Sequence, residues 1–206
     1  MFCGIVKGIG TIVEIIDKPN LRTICVKLPQ NCTDNLEIGA SIANNGCCLT
    51  ITNIRQDIVK FDIMAETLSK TNLKYLQLGD SVNIERAARF GDEIGGHVMS
   101  GHIIDTVEIL DIKVYENNKT IFFRLPENLK AYIFTKGFIG LDGCSLTVGD
   151  VFYDSFNVHL IPETLNITLF GNRKIGDEIN LEIDASTQAI VDTVERLLKE
   201  RNFQAA

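Results

Sequence analysis

The sequence predicts an all-β protein of two tandem small antiparallel barrels followed by a C-terminal α-helix. Three observations predict it: a segment that repeats at a fixed offset, short apolar stretches of period two bounded by Gly, Asn and Asp, and one amphipathic tail. Residues 46–85 align with residues 143–182 at an offset of 97, with 13 identities in 40 positions. Composition alone would give about two or three. Gly46-Cys47-Cys48-Leu49-Thr50 falls on Gly143-Cys144-Ser145-Leu146-Thr147, and Glu66-Thr67-Leu68 on Glu163-Thr164-Leu165. Val82-Asn83-Ile84-Glu85 falls on Ile179-Asn180-Leu181-Glu182.

The start of each copy matches at a smaller offset, 94, with Gly8 to Ile15 resembling His102 to Ile109. The change reads as one small insertion. The chain then divides into a first unit of about residues 1–86, a Gly- and charge-rich bridge from Arg86 to Gly96, a second unit and a tail. As domains these are 1–96, 97–185 and 186–206. Each unit is long enough for its own small core. Thr23 to Leu28, Val59 to Ile63 and Ser81 to Glu85 alternate as strands do, and several short strands in a 90-residue unit close most simply into a barrel, which removes exposed edges. A short helical turn is expected after each Glu-Thr-Leu. In the tail, Ile190, Val191, Val194, Leu197 and Leu198 recur on one helical face from Thr187 to Arg201, with Ser186 as the expected N-cap. An isolated helix of this length is marginal in water, so the stripe packs either on its own barrels or on another subunit.

Composition narrows the function. The 206 residues carry 20 Lys and Arg against 27 Asp and Glu, a net charge of −7, which argues against a general nucleic-acid binder. No apolar run is long enough to span a bilayer and the N-terminus has no signal-peptide pattern, so a cytoplasmic protein with no membrane association is expected. The six cysteines lack zinc spacing and read as reduced thiols. The sequence has no dinucleotide fingerprint, no phosphate loop and no His-Glu-x-x-His. Gly143-Cys144-Ser145 lacks the closing glycine of a nucleophile elbow, which disfavours a serine hydrolase. The spacing of His97 and His102 puts them on opposite faces of a strand and suits no common metal site, so no metal is expected. Proton transfer is the better role for a histidine here.

Retention of Gly-Cys-Cys/Ser-Leu-Thr and Glu-Thr-Leu in both copies points to one ligand pocket per unit, against the plainer reading of a duplicated tight turn with a capping Thr. Positions that differ between copies then carry the asymmetry. Cys48 faces Ser145, Asp62 faces His159, Ser41 faces Phe138, and His102 falls near Gly8 and Ile9.

Met1 to Gly8, Asn45 to Thr50, Gly95 to His102, Lys136 to Gly143, Ser145 to Gly149 and His159 to Thr164 together resemble the riboflavin synthase family of the alpha-chain type, over essentially the whole chain. The resemblance implies two tandem six-stranded antiparallel Greek-key β-barrels related by a pseudo-twofold repeat, a C-terminal α-helix, and a homotrimer held by that helix. It implies a dismutation of two 6,7-dimethyl-8-ribityllumazine molecules to riboflavin and 5-amino-6-(D-ribitylamino)uracil, with no cofactor. An association with lumazine synthase stays open. Cys3 stands where the family usually has Thr, and Cys144 where an aliphatic residue is common. Both departures bear on fine affinity more than on activity.

Carried onto this chain, the family's ligand segments are Gly4, Ile5 and Val6, Cys48, Leu49 and Thr50, and Asp62, Ile63, Met64, Ala65, Glu66 and Thr67, all assigned to the N-terminal unit. In the C-terminal unit they are Gly101, His102 and Ile103, Ser145, Leu146 and Thr147, and His159, Leu160, Ile161, Pro162, Glu163 and Thr164. Lys136 is the position that reaches a neighbour's pocket. The reaction needs two like rings held face to face, one losing a methyl proton and the other accepting a nucleophile, and such holding is worth effective molarities of up to about 10⁵–10⁸ M. The candidates are His102 as base, Cys48 with Ser41 near the acceptor, and Asp184 as a late acid or base. The site is expected between the N-terminal barrel of one subunit and the C-terminal barrel of the next. A non-catalytic lumazine- or flavin-binding antenna protein is the alternative within the fold, and a structural trimer is a third class.

Overall fold

Strands β1 (Gly8–Lys18), β2 (Leu21–Lys27), β3 (Ser41–Asn44), β4 (Cys47–Arg55), β5 (Ile58–Met64) and β6 (Ser81–Arg86) close into an antiparallel barrel in the order β1-β2-β5-β4-β3-β6. In this computed structural model, which describes the backbone of residues 1–204 and the side chains of 1–200, a second barrel repeats that order. It contains β7 (Asp105–Val114), β8 (Lys119–Arg124), β9 (Phe138–Leu141), β10 (Cys144–Val151), β11 (Ser155–Leu160) and β12 (Glu178–Ile183). Alternation along each strand fills the interiors: Ile24, Val26, Phe61 and Ile63 in the first, and Val107, Ile121, Phe123 and Phe156 in the second, are at most 1% exposed. Phe123 stacks on Phe156 at 5.4 Å and meets Phe170 edge-on, so the second core is the more aromatic.

The registers revise the internal alignment. Gly8 pairs with Ile84 and Thr11 with Ser81, while Asp105 pairs with Leu181 and Glu108 with Glu178. Each corresponding residue differs by 97, as do the bulges between Ile12 and Glu14 and between Ile109 and Asp111. The offset of 94 and the inserted residues are therefore wrong, and the counterpart of His102 is Ile5, not Gly8 or Ile9. A slip of three residues, being odd, sends a strand's inner face outward. It matched buried Val107 with partly exposed Val13, whereas the structure matches buried Ile109 with buried Ile12.

The two barrels meet across reciprocal contacts. Asn83 Nδ2 donates to the Asp142 carbonyl at 2.9 Å and Asn180 Nδ2 to the Asn45 carbonyl at 2.8 Å. The backbone N–H of Asn72 donates to Asn180 Oδ1, and that of Leu169 to Asn83 Oδ1. Such self-complementary pairs are what a twofold axis produces. Gly46 and Gly143 face each other on it: a Cβ on Gly46 would lie 2.6 Å from Gly143 N, and one on Gly143 would lie 2.8 Å from Gly46 N. The symmetry ends at Asp142, buried and paired with Arg173 at 2.5 Å, because Leu76 stands where the second barrel has Arg173.

Two short helices, α1 (Ala65–Lys70) and α2 (Pro162–Ile167), contain Glu-Thr-Leu rather than following it. Each is closed by a threonine hydroxyl, Thr71 onto the Thr67 carbonyl and Thr168 onto the Thr164 carbonyl. The tail helix α3 (Ala185–Gln204) begins two residues earlier than expected, and its cap is Asp184, not Ser186. Asp184 Oδ2 accepts from Thr187 N at 2.7 Å and from Thr187 Oγ1 at 2.9 Å, which satisfies a donor of the first turn. Most of the apolar stripe is left uncovered: Ile190, Val194, Leu197 and Leu198 are 50–65% exposed, and Val191 is half-buried. The last two residues of the expected tail unit, 205–206, lie outside the described residues. No helix among those described is long and apolar enough to cross a membrane.

Candidate active site

Asn45-Gly46 and Asp142-Gly143 form the turns that start β4 and β10, with positive φ at both residues of each pair. That geometry is the one two-residue hairpins need. The repeated motif is thus a turn running into a strand. Thr50 pairs with Ser41 and Thr147 with Phe138 in the ladders, so neither threonine is a cap. Cys48 and Ser145 end up at equivalent points on the two barrel rims.

The segments that approach these rims are exchanged between the units. Phe2 and Met99 exchange backbone hydrogen bonds of 2.8 and 2.9 Å, and each segment then crosses to the other barrel. The Gly4 carbonyl accepts from Ser145 N at 2.8 Å, and the Gly101 carbonyl accepts from Cys48 N at 2.9 Å. Val6 belongs to the core of the second barrel, and Ile103 packs on that of the first. The assignment of Gly4 to Val6 to the N-terminal pocket, and of Gly101 to Ile103 to the C-terminal one, is therefore reversed.

In the first barrel this exchange makes a cavity of about 260 Å³, lined by Cys47, Cys48, Glu66, Thr67, Lys70, Thr71, Gly101, His102 and Ile103. It unites six of the expected residues, with His102 exposed and Cys48 half-buried on one wall. Ser41, Thr50 and Asp62 to Ala65 do not line it. Asp62 instead accepts from Thr23 Oγ1 at 2.6 Å. The Leu49 and Ile63 side chains point into the barrel core, so those positions present only backbone outside it. Burial pushes the Cys47 thiol up to about 12, and Cys47 stays protonated beside Cys48.

The rim of the second barrel is occupied differently. The Ser145 hydroxyl lies 2.6 Å from His97 Nδ1 and accepts from His97 N at 3.1 Å, and the imidazole stacks on Phe138 at 5.1 Å. His97 is 6% exposed and its Nε2 has no hydrogen-bond partner among the described residues. Burial lowers its pKa, with Asp184 acting in the opposite direction. His97 and His102 lie in an irregular stretch, not on opposite faces of a strand. His159 Nδ1 lies 2.9 Å from Thr120 Oγ1, and Leu160 is a core residue. Ile161, Pro162 and Glu163 are exposed at the start of α2, and Leu146 packs on the core beside exposed Thr147. Lys136 is exposed, in a left-handed conformation where the first barrel has Gly39.

Three groups at the rims were not among the expected site residues, although His97 was weighed as a histidine suited to proton transfer. His97 precedes the second repeat and has no counterpart, so the internal alignment carried no signal for it. Glu85 and Glu182 did carry one, an identity across the repeat, but it served there only to mark a repeated strand. They are each 3% exposed and grip the exchanged segments.

Two closed barrels with exchanged rim segments define a tandem-domain protein, and the family model for the lumazine binding domain matches it twice, at residues 3–87 and 100–184. These spans also differ by 97. The chain is 56% identical to riboflavin synthase of Escherichia coli (strain K12) over 202 residues, covering 98% of this chain and 95% of that protein. It is 48% identical to riboflavin synthase of Buchnera aphidicola subsp. Schizaphis graminum over 200 residues, covering 97% and 96%. Among solved structures, LumP complexed with riboflavin superposes with a TM-score of 0.82 at 28% identity, covering 89% of this chain and 100% of that one. LumP complexed with 6,7-dimethyl-8-(1'-D-ribityl) lumazine gives 0.81 at 26%, covering 89% and 99%. The chain belongs to the riboflavin synthase family.

Proposed function

We propose that the protein is a riboflavin synthase, a transferase that dismutates two 6,7-dimethyl-8-ribityllumazine molecules. One gives a four-carbon unit to the other, and the products are riboflavin and 5-amino-6-(D-ribitylamino)uracil, the last step of riboflavin biosynthesis. The 56% identity over nearly the full chain carries the reading, and the geometry supports it. A base must remove a proton from the C7 methyl of one ring, and His102 lines the same cavity as Cys48, the candidate group near the acceptor. The other barrel offers His97, Ser145 and Phe138 at the matching rim. Two like pockets with unlike walls suit a reaction in which identical substrates play different parts.

At about 260 Å³ the first cavity falls below the roughly 300–1,000 Å³ usual for ligand pockets, as it would if a neighbour completes it. The reading includes a homotrimer joined through the exposed stripe of α3, cytoplasmic, with the C-terminal barrel and Lys136 of one subunit facing the N-terminal pocket of the next. Units of 1–96, 97–185 and 186–206 serve as binding halves and assembly tail. No cofactor takes part. The antenna reading is favoured less, because the chain is 56% identical to a riboflavin synthase over nearly its full length. Purified protein given dimethylribityllumazine alone should develop flavin absorbance, consuming two lumazines per riboflavin, unchanged by chelator. A ratio of one to one, or no flavin, defeats the proposal.

A further inference from the structure

We infer that Glu85 and Glu182 are positioning residues, each a buried carboxylate on one barrel that fixes the wall of the other barrel's ligand pocket. This goes beyond the proposed reaction but rests on that reading for what the pockets hold.

The two side chains make the same contacts at an offset of 97. Glu85 accepts from Cys3 N at 2.8 Å, from Gly4 N at 3.1 Å and from the Cys3 thiol at 3.1 Å. Glu182 accepts from Ser100 N at 2.6 Å, from the Ser100 hydroxyl at 2.8 Å and from Gly101 N at 3.1 Å. The peptide whose N–H groups are gripped is the one whose carbonyl crosses the axis. Gly101 O accepts from Cys48 N, and Gly4 O from Ser145 N. Ser100 Oγ also accepts from the backbone N–H of His102 at 3.1 Å, so the grip of Glu182 extends to the residue proposed as base.

A carboxylate is the side chain this geometry calls for. It is an acceptor at both oxygens, whereas an amide would turn an NH₂ toward a backbone N–H. Burying a charged group is costly, and an apolar side chain at this depth in β6 or β12 would serve the barrel as well. The carboxylate brings instead a fixed path for three residues of irregular chain that no ladder holds beyond the Phe2–Met99 bridge. Burial raises both carboxyl groups above their ordinary range, while the donated backbone hydrogen bonds act in the opposite direction.

Glu182→Gln and Glu85→Gln keep length and volume, and the readouts are pocket-specific. Riboflavin binding is followed by fluorescence titration, and occupancy of the first pocket by protection of Cys48 from alkylation. Glu182→Gln should lose Cys48 protection, with affinity in that pocket falling about 10–100-fold, while the second pocket still binds. Glu85→Gln should do the reverse. If both variants bind and protect as the unaltered protein does, or if each loses both pockets together with a lowered melting temperature, the carboxylates are not positioning residues. Unaltered protein that neither binds riboflavin nor protects Cys48 would instead defeat the functional reading.

Discussion

Asp62 and His159 hold the same position in the two barrels, and each engages the hydroxyl of a threonine on the adjacent strand, Thr23 at 2.6 Å and Thr120 at 2.9 Å. The frame is shared and the chemistry differs: a carboxylate on one barrel replaces an imidazole on the other. The same holds for Ile5 and His102, which is where the proposed base enters.

His102→Gln should lower turnover by about 10²–10⁴-fold while ligand affinity stays within a few-fold, because a general base acts in the transition state. Its counterpart Ile5 has no titratable group, so the task shared by both pockets does not need the histidine. Steady-state kinetics beside a direct binding titration check this. Equal losses in both would make His102 a binding residue.

Asp184 is both the cap of α3 and a candidate acid or base, and two substitutions separate the roles. Asn caps as well as Asp, whereas Ala costs about 0.5–2 kcal/mol. Asp184→Asn should therefore keep the melting temperature and lose turnover, and Asp184→Ala should lose both. Full turnover in the Asn variant removes Asp184 from the chemistry.

Deleting the chain after Asp184 removes the exposed stripe of Ile190, Val194, Leu197 and Leu198. Each such side chain, once buried, contributes roughly 1.5–3 kcal/mol before ordering costs. Sedimentation should give monomers with both barrels folded, and a trimer surviving the deletion would place assembly elsewhere.

Burial holds the folded pKa of His97 below its ordinary value of 6.5. Between that lowered value and 6.5 the unfolded chain binds more protons than the folded one. The contribution of His97 is thus full above 6.5 and is lost as pH falls through this window. Phe at position 97 cannot titrate, and it keeps a ring against Phe138. The melting temperature of the unaltered protein minus that of His97→Phe should fall from about pH 7 to about pH 5. A constant difference would count against it. The buried glutamates titrate alike in both proteins and cancel.

Strand identity was legible because apolar alternation and the 97-residue repeat both report a local property, the pleat. The register of β7 was not, since Val-Glu-Ile triplets recur in strands and a triplet cannot tell inner from outer face. The pocket motifs were legible as motifs, but Gly4 to Val6 and Gly101 to Ile103 were placed on the wrong barrels. Gly4 and Gly101 read as parts of their own units, and only the axis through Phe2 and Met99 reveals that each finishes on the other. The cap shows the same limit: Ser186 and Asp184 are both good N-caps by type, and the end of β12 at Ile183 decides between them.

The exchange of rim segments has a consequence for how such a chain could have arisen. Because the contacts are reciprocal at one constant offset, two separate copies of a single ancestral half would build the same interface and two identical pockets. In that ancestor any mutation appears on both sides at once. Covalent fusion of the halves ends that constraint, and only afterwards can Ile5 and His102, Cys48 and Ser145, or Asp62 and His159 diverge. Joining the halves, more than any one substitution, is what lets the two rims differ in chemistry while their frame stays shared.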